Sequence, residues 1–507
     1  MPEASEVTAP TCFLPLRPLL AALALGTSAL PALAGLTGTL YPGLGYDLVE
    51  TSPGQFIATG YMYPSMSYTL PNASGGGTAS GAAAGLGAAQ LSTGTAFLGY
   101  RGMVITPAQT YVLGTLGVNS VDGWIPPGSG SSSAQATNAK NEVAGTSELY
   151  SPDGTVDLGG RAVYYAPGSG EPRMLAVPKG FTDASGVGYM GTSNMSSTGV
   201  IIGYGSEIAA NGASRVIRWA NPTAKGKVLD NVTLGGATGI ASWGVAVNAA
   251  GDVVGKGNLF SAKGQNLGTV AARWLAGSTA ATVLQSLPKP PRASYASSAV
   301  AINDAGAAVG SSGKFSDSGA TQGDAAVLWP AGSTTPTELK GLGHGSDGMG
   351  WTYALAINNK GVVSGVGTSF SDSGTDLGQR AIRWAADSTE PEVLGLLSQA
   401  ADGGSYSYAF GMNNKGYVVG NANVVGTASG DASNPTALAV HAVVWKPNGT
   451  PVDLNKLLPP NSGWQLFSAY SISDTGWITG IGFFQPPGYD VSYSYPRLYS
   501  MQITKTD

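Results

Sequence analysis

Short apolar runs and tight turns alternate along this chain in a pattern that recurs eight times between Tyr46 and Gly476. Each copy has an apolar run, a four-residue turn, and a second run such as DVVG or YVVG. The turns end at positions 54, 141, 199, 251, 306, 361, 416 and 476, so the intervals after the first one are 52 to 60 residues. A fixed period of this length is typical of supersecondary units that stack in a row or a ring.

The residues of the turn predict its geometry. In seven copies the turn opens with Asn or Ser, at Asn138, Ser196, Asn248, Asn303, Asn358, Asn413 and Ser473. Such a side chain can bond the backbone two residues later, and the glycine three residues later adopts the left-handed conformation of a G1-bulge hairpin. Asn141 replaces this glycine in the second copy, and Asn also tolerates that conformation. Each turn is therefore predicted to join two β-strands.

A third and a fourth strand are predicted after each hairpin. The third ends in an aromatic residue, as in RVIRW (215–219) and RAIRW (380–384), and the fourth reads like EVLGLL (392–397). Four strands in about 55 residues is the size of a propeller blade. The third-strand tryptophans are expected in the cores between blades: Trp219, Trp274, Trp329, Trp384 and Trp445.

The predicted fold is all-β, a β-propeller of about eight four-stranded blades. The eighth copy lacks a fourth strand of its own, whereas LTGTLYPGLG (36–45) resembles one and belongs to no preceding copy. If this N-terminal strand completes the last blade, the ring closes and no sheet edge is left open. Seven blades or an open solenoid are the alternatives if the first copy folds differently.

The first 34 residues are predicted to be a signal peptide. Arg17 precedes an apolar run, and Ala32-Leu33-Ala34 fits the small-x-small cleavage rule. Residues 35–507 would then form a single propeller domain, with a low-complexity segment at 74–94 that is expected to be a flexible loop. The mature protein is expected to be extracellular, periplasmic or held at the cell surface, with no transmembrane segment.

Composition narrows the partners. The chain has 76 glycines among 507 residues and 43% hydrophobic residues, which suits turn-rich β-structure and is too apolar for disorder. The net charge of −5 offers no basic footprint, so nucleic acid is not expected as a partner.

The repeat also resembles a known family. Copies such as YALAINNKGVVSGVG with RAIRW, and SYAFGMNNKGYVVG with HAVVW, resemble the HAF family of probable bacterial extracellular repeats. The resemblance covers most of residues 46–505. It implies an extracellular or cell-envelope protein that resembles a β-propeller, and it carries no established activity that could be transferred to single residues.

Candidates for catalysis or metal binding are few. His344 lies three residues from Asp347, and the pair could be half of a general-base or metal site, while an exposed loop histidine is the simpler interpretation. His441 stands where other copies have Arg, which indicates a role on the strand surface. Two similar loops carry Asp317, Asp324, Asp372 and Asp376, whose oxygens could hold calcium, although turn formation by Asp317 and Asp372 also explains them.

Aromatic residues mark the candidate binding site. The loops from second to third strand and from blade to blade are expected to be long and variable, as in residues 423–440, and variation on one face of a rigid scaffold is typical of binding. The rings expected near that face are Trp243, Trp351, Tyr353, Tyr408 and Trp464, with Tyr46 in an equivalent place and Trp124 in another connection. Such rings suit stacking on sugars or apolar ligands, or else they cap the blade cores.

Two function classes follow. The first is an exported, non-catalytic binding or scaffold protein that engages a glycan, an envelope polymer or a protein, without a cofactor. The second is an exported carbohydrate-active hydrolase or lyase with its site at the propeller mouth, which would need two or three carboxylates there. The predicted first strands carry Asp47 and Glu50 in one copy and almost no acids elsewhere, which favours binding.

Overall fold

A computed structural model describes the side chains of most of the chain from residue 112 onward. The described ranges are 110–121, 128–138, 140–210, 212–424, 439–484 and 495–505, together with the backbone of strands at 36–42, 47–52, 55–59, 74–75, 83–93 and 96–105. The predicted signal peptide lies outside these residues. The chain divides into two compact units, one made of Met1–Thr37 and Thr504–Asp507 and the other of Gly38–Ile503. The repeats described below lie in the second unit, apart from the ends of two strands.

Seven repeats, numbered 2 to 8 along the chain, each form a four-stranded arrangement. In repeats 2 to 7 each strand pairs antiparallel with the next strand along the chain, whereas in repeat 8 the fourth place is taken by an N-terminal strand. The strands of repeat 2 are Ser132–Thr137, Val143–Tyr150, Asp157–Tyr165 and Arg173–Met174. Those of repeat 3 are Met190–Met195, Ile201–Glu207, Ala213–Trp219 and Lys227–Val228. Those of repeat 4 are Ser242–Val247, Val253–Phe260, Asn266–Trp274 and Ala281–Leu284. Repeats 5 and 6 consist of Tyr295–Ile302, Ala308–Phe315, Thr321–Trp329 and Thr337–Leu339; and Gly350–Asn358, Val363–Phe370, Asp376–Trp384 and Pro391–Val393. Repeats 7 and 8 consist of Ser407–Met412, Val418–Val424, Ala439–Trp445 and Pro451–Asp453; and Trp464–Ile472, Trp477–Phe484, Tyr495–Lys505 and the N-terminal strand Leu36–Pro42.

Few elements stand outside this scheme. Short pieces are the strand Ser74–Gly75, the hairpin of Thr233–Leu234 with Ala237–Thr238, and the 3₁₀ turns Ile208–Ala210 and Leu454–Leu457. The described residues contain no α-helix, so the all-β prediction is confirmed.

Repeat 1 differs from the others. It is a five-stranded sheet in the order Gln55–Thr59, Asp47–Ser52, Ala83–Thr93, Ala96–Ile105 and Thr110–Val112. The prediction of a flexible loop at 74–94 is therefore wrong for residues 83–93. The strand Ala83–Thr93 pairs with the strand Ala96–Ile105, beginning with Thr93 opposite Ala96. The hydrogen bonds of this ladder outweigh the low β-propensity of the Ala and Gly residues in the strand.

The turn between first and second strands has the predicted geometry. In repeat 6 the Gly361 N–H donates to the Asn358 carbonyl at 3.0 Å, and Gly361 has a φ of +82°. The Asn358 Oδ1 accepts from the N–H of Lys360 and also from that of Val362, each at 3.0 Å. The side chain therefore replaces two backbone partners at once.

Consecutive repeats are tied by the third-strand tryptophans. All five are fully buried, which confirms the prediction of core positions. Each indole N–H donates to a carbonyl just after the fourth strand of the preceding repeat, for example Trp384 to Lys340 at 3.0 Å and Trp445 to Gly395 at 2.7 Å. The hydrophobic clusters likewise combine residues of two consecutive repeats, such as Ala301 and Val309 of repeat 5 with Trp384 of repeat 6. The core is thus divided among the junctions between repeats.

A ladder of amides joins the turns. The Asn303 Nδ2 donates to the Asn358 carbonyl at 3.1 Å, the Asn358 Nδ2 to the Asn413 carbonyl at 3.2 Å, and the Asn413 Nδ2 to the Ser473 carbonyl at 2.9 Å. Asn248 continues this ladder to Asn303. These side chains are buried, so the turn-opening Asn holds its own turn and the next repeat together.

The expected variation among connections is only partly present. The links from second to third strand are short in repeats 2 to 6. In repeats 4, 5 and 6 each link has five residues and begins with a four-residue turn, opened by Ser261, Ser316 and Ser371. The prediction of long second-to-third loops is wrong there, because the same Ser-x-x-Gly turn chemistry closes these hairpins too. The corresponding segments of repeats 7 and 8, at 425–438 and 485–494, lie outside the described residues. In repeats 2 to 6 the longer connections run from each fourth strand to the next repeat.

Candidate functional site

In repeats 2 and 4 to 7 the first strand has one face that is not buried in a core. In repeat 5 Ile302, Ala299 and Ser297 are buried, whereas Val300 and Ser298 are partly exposed. Strand side chains alternate between faces, and a bulge between Ala299 and Ala301 shifts the alternation near the turn. In repeats 2 and 4 to 7 the partly exposed positions are therefore three and five residues before the turn, and in repeats 5 to 7 the position seven residues before it is also not buried.

Repeats 6 and 7 carry aromatic side chains on this face. Trp351 and Tyr353 lie seven and five residues before the repeat 6 turn, and both are half-buried. Tyr406, Tyr408 and Phe410 take the positions seven, five and three before the repeat 7 turn, and Tyr406 is 49% exposed. We call these five residues the aromatic wall. The first strands of repeats 6 and 7 contact each other, so the two rows of rings lie on neighbouring strands.

The ring cluster extends into repeat 8. The rings of Tyr408 and Phe410 are stacked with centroids 6.0 Å apart and an interplanar angle of 12°. Phe410 also contacts Tyr470, at 5.4 Å and a tilt of 50°. Offset and tilted contacts of this kind are the favoured arrangements of aromatic pairs. Burial, followed by the proximity of Tyr406, raises the pKa of the Tyr408 hydroxyl, so this group is neutral at physiological pH.

A carboxylate adjoins the repeat 6 rings. The Tyr353 hydroxyl donates to Asp324 Oδ2 at 2.8 Å, and Asp324 is paired with Trp351 in a short parallel bridge between repeats 5 and 6. Burial, and then the hydrogen bond to Asp324 and its charge, raise the pKa of the Tyr353 hydroxyl above its ordinary value. Tyr353 therefore stays protonated and fixed, and Asp324 remains close to both rings as a hydrogen-bond acceptor.

The other predicted site residues lie apart from the wall. Trp243 is half-buried in the first strand of repeat 4, with the Lys256 ammonium 6.0 Å from its ring centroid. Trp464 is half-buried at the start of repeat 8 and packs on Phe484 at 5.3 Å. Tyr46 and Trp124 lie outside the described residues. Of the five rings proposed from sequence, Trp351, Tyr353 and Tyr408 lie on neighbouring first strands, and Trp243 and Trp464 have separate partners.

Comparison with known proteins gives a family whose function is not defined. Residues 277–495, which include the aromatic wall, match the family described as Protein of unknown function (DUF3466). Among curated proteins none matches the chain.

Solved structures with a resemblance include β-propellers at low similarity. The β-propeller domain of the Trilobed protease from Pyrococcus furiosus aligns with a TM-score of 0.42 and 11% identity, over 75% of this chain and 98% of that domain. The polysaccharide lyase Uly1 aligns with a TM-score of 0.39 and 11% identity, over 93% of this chain and 99% of its own. At these TM-scores neither resemblance supports an assignment of activity.

Sequence reasoning missed three rings of the site. Tyr406, Phe410 and Tyr470 were absent from the predicted set, although each stands at a position seven or three residues before a turn. The available signal was the strand period of two, which places positions three, five and seven on one face. Only position five and the separate tryptophans were singled out.

The two histidines have different surroundings. His344 is exposed, with Nδ1 3.0 Å from the Gly345 carbonyl, as expected for a loop histidine. The strand-surface role predicted for His441 is wrong, because its Nδ1 lies 2.9 Å from Asp453 Oδ2 and both side chains are largely buried. The equivalent Arg161 and Arg380 are buried as well. This position faces the junction with the next repeat.

The aspartates considered for calcium are dispersed. Asp317, Asp372 and Asp376 are exposed, and Asp324 is bonded to Tyr353. The turns near Asp317 and Asp372 are opened by the preceding serines, since the Ala320 N–H donates to Ser316 Oγ at 3.1 Å; the predicted turn role of these two aspartates is therefore wrong. In the described part of the chain no three His, Cys, Asp or Glu residues form a group that could hold a metal ion.

The described residues also contain no helix that is long and apolar enough to cross a membrane.

Proposed function

We propose that this chain is an exported, non-catalytic β-propeller of eight blades that binds a glycan through the aromatic wall. The single observation that carries the proposal is the row of half-buried rings on neighbouring first strands, with the Asp324 carboxylate beside it. Flat apolar faces stack on the C–H faces of sugar rings, and a fixed carboxylate accepts hydrogen bonds from their hydroxyls.

Three features support ring closure. From repeat 2 to repeat 8, the first strand of each repeat contacts the first strand of the next. The strand Ala83–Thr93 contacts both Ser132–Thr137 of repeat 2 and Trp477–Phe484 of repeat 8. The N-terminal strand Leu36–Pro42 is the sheet neighbour of Tyr495–Lys505, where the fourth strand of repeat 8 would stand. In a closed ring the free faces of the first strands line the central opening, which is where a ligand would meet the wall.

The wall is suited to binding because its rings are already ordered. Tyr353 is fixed by Asp324, and Tyr408 by stacking on Phe410. Side chains that are immobile before the ligand arrives lose little conformational entropy on binding, which raises affinity for a given contact area. Export is supported by the apolar leader before Gly35 and by the resemblance to extracellular HAF repeats.

Affinity electrophoresis tests this function. The protein is run in native gels that contain laminarin, xylan, alginate, pectin or solubilised peptidoglycan, and we expect at least one of these to retard it. Tyr353→Ala/Tyr408→Ala should weaken that retardation about fivefold or more, because each of the two lost stacking contacts is worth roughly 0.5–1.5 kcal/mol.

The matched control is Leu275→Ala, which removes a 52% exposed apolar side chain from a third-to-fourth-strand turn, away from the wall. It should leave the retardation unchanged. Equal retardation of the double variant and the wild type would refute the wall as the site, and release of reducing or unsaturated sugars in the gel would indicate an enzyme.

A further inference from the structure

The same structural module occurs at two junctions, from repeat 2 to 3 and from repeat 6 to 7. The third strands of repeats 2 and 6 begin with DLGGR (157–161) and DLGQR (376–380). Arg161 donates to the Gly188 and Gly186 carbonyls, both at 2.6 Å, in the connection to repeat 3. Arg380 donates in the same way to the Ser405 and Gly403 carbonyls in the connection to repeat 7.

Each module holds a tyrosine directly after those carbonyls. Tyr189 follows Gly188 and is 61% exposed, and Tyr406 follows Ser405 and is 49% exposed. A Cβ added at Gly159 would lie 3.3 Å from Tyr189 Cδ2, and one added at the equivalent Gly378 would lie 3.1 Å from Tyr406 Cε1 and Cζ. Both rings thus pack against the backbone of the preceding third strand, where a glycine leaves room for them.

The connections that carry these tyrosines are rigid. A turn closes each one, with the Gly186 N–H donating to the Asp183 carbonyl at 3.1 Å and the Gly403 N–H to the Ala400 carbonyl at 3.0 Å. The buried guanidiniums of Arg161 and Arg380 then fix the next residues through two charge-assisted donors each. The outward surface of each tyrosine is consequently preorganised.

The module is not a requirement of the scaffold. Repeats 4 and 5 form the same kind of junction with Val270 and Ala325 at the arginine position, and repeat 3 has Arg215, which donates to Glu207 and to the Leu229 carbonyl instead. An arrangement kept at two junctions and absent from those between them points to a purpose other than folding.

We infer that Tyr189 and Tyr406 are two equivalent stacking sites for the sugar rings of one repetitive polysaccharide. This inference rests on the proposed function and extends it, since Tyr406 belongs to the aromatic wall and Tyr189 adds a second site. Asp157 and Asp376 are exposed, and each is the first residue of the third strand against which the tyrosine packs. They supply carboxylates at equivalent places, which can accept hydrogen bonds from the hydroxyl groups of a sugar. Duplicate surfaces suit a ligand with repeating identical units, because a long chain can occupy both at once and gain avidity.

Stoichiometry is the decisive measurement. Isothermal titration with laminarihexaose, xylohexaose and chitohexaose should find one that binds wild type at two sites per chain. Tyr189→Ala and Tyr406→Ala should each leave one site, and affinity for the parent polysaccharide should fall at least tenfold in either variant. Tyr189→Phe, which keeps the ring, should retain two sites, and so should Leu275→Ala.

The outcomes separate the two proposals. If Tyr189→Ala keeps two sites and full polymer affinity while Tyr353→Ala/Tyr408→Ala loses affinity, the proposed function stands and the second site is wrong. If wild type binds the hexasaccharides at a single site, the duplicated site is wrong. If wild type binds none of the oligosaccharides or polysaccharides, both proposals are wrong.

Discussion

Two sets of aromatic residues in this protein have opposite relations to their surroundings. The third-strand tryptophans recur in five consecutive repeats, are fully buried, and each donate their N–H to the preceding repeat. The residue five positions before the first turn changes from repeat to repeat. In repeats 4 to 7 it is Trp243, Ser298, Tyr353 and Tyr408, and none of these four is fully buried.

The difference teaches how a repeat separates folding from recognition. The third-strand position, whose surface and indole N–H are both used by the junction, keeps its tryptophan in repeats 3 to 7, because these junctions have the same geometry. A position on the free face of the first strand carries no such constraint. It can hold a small residue in one repeat and a ring in the next, so the proposed binding surface can differ around the repeats while the scaffold remains the same.

The largest expected effect is on a third-strand tryptophan. Trp384→Ala should lower the free energy of unfolding by about 3–5 kcal/mol, because it leaves a cavity between repeats 5 and 6 and removes the donor to the Lys340 carbonyl. Trp351→Ala, on the free face, should cost about 1 kcal/mol or less. Urea denaturation followed by circular dichroism measures both, and similar losses for the two variants would contradict the distinction.

The buried amide ladder extends the comparison to polar residues. Asn358→Ala should cost about 1–3 kcal/mol, because two backbone N–H groups of its own turn and the Asn413 carbonyl all lose a partner. Asn359→Ala, at the exposed neighbouring position, is the matched control and should cost less. Thermal unfolding of the two variants in parallel gives the difference, and an Asn359→Ala cost as large as that of Asn358→Ala would rule out the buried ladder as the source of stability.

A smaller effect is expected where a first-strand ring has a polar partner. Tyr353→Phe removes one hydrogen bond to Asp324, which should cost about 0.5–1.5 kcal/mol while the ring stays in place. Glycan binding should fall less than in Tyr353→Ala. If the phenylalanine variant binds as weakly as the alanine variant, the hydroxyl is the important group and ring stacking is not.

The sequence predicted the parts of the fold that depend on local chemistry. The Asn-x-x-Gly turns and the buried Trp384 follow from residue type and period. The pairing of Ala83–Thr93 with its neighbour could not be read from a segment of small residues, since composition alone indicated a loop. The arginine modules were missed because Arg161 and its acceptors Gly186 and Gly188 belong to different repeats.

The sequence predicted that the candidate site is aromatic, but it did not predict which aromatic residues form it. The free-face rings follow the strand period, yet the partner of Tyr353 comes from the preceding repeat, 29 residues away. Trp243 and Trp464 are aromatic like the residues of the wall, but in the folded protein Trp243 lies beside Lys256 and Trp464 packs on Phe484. The sequence alone does not show these separate partners. Contacts across repeats depend on how consecutive repeats are packed, which no local pattern encodes.

Hydroxyl-radical footprinting tests the central claim most directly, because it compares both sets of residues in one unmodified protein. With the polysaccharide that retards the protein in gels, oxidation of Tyr406 and Tyr408 should slow severalfold, while that of Leu275 should not change and Trp384 should stay unreactive with or without ligand. Protection at Leu275 with none at Tyr406 and Tyr408 would place the ligand on the opposite side of the repeats and contradict the account.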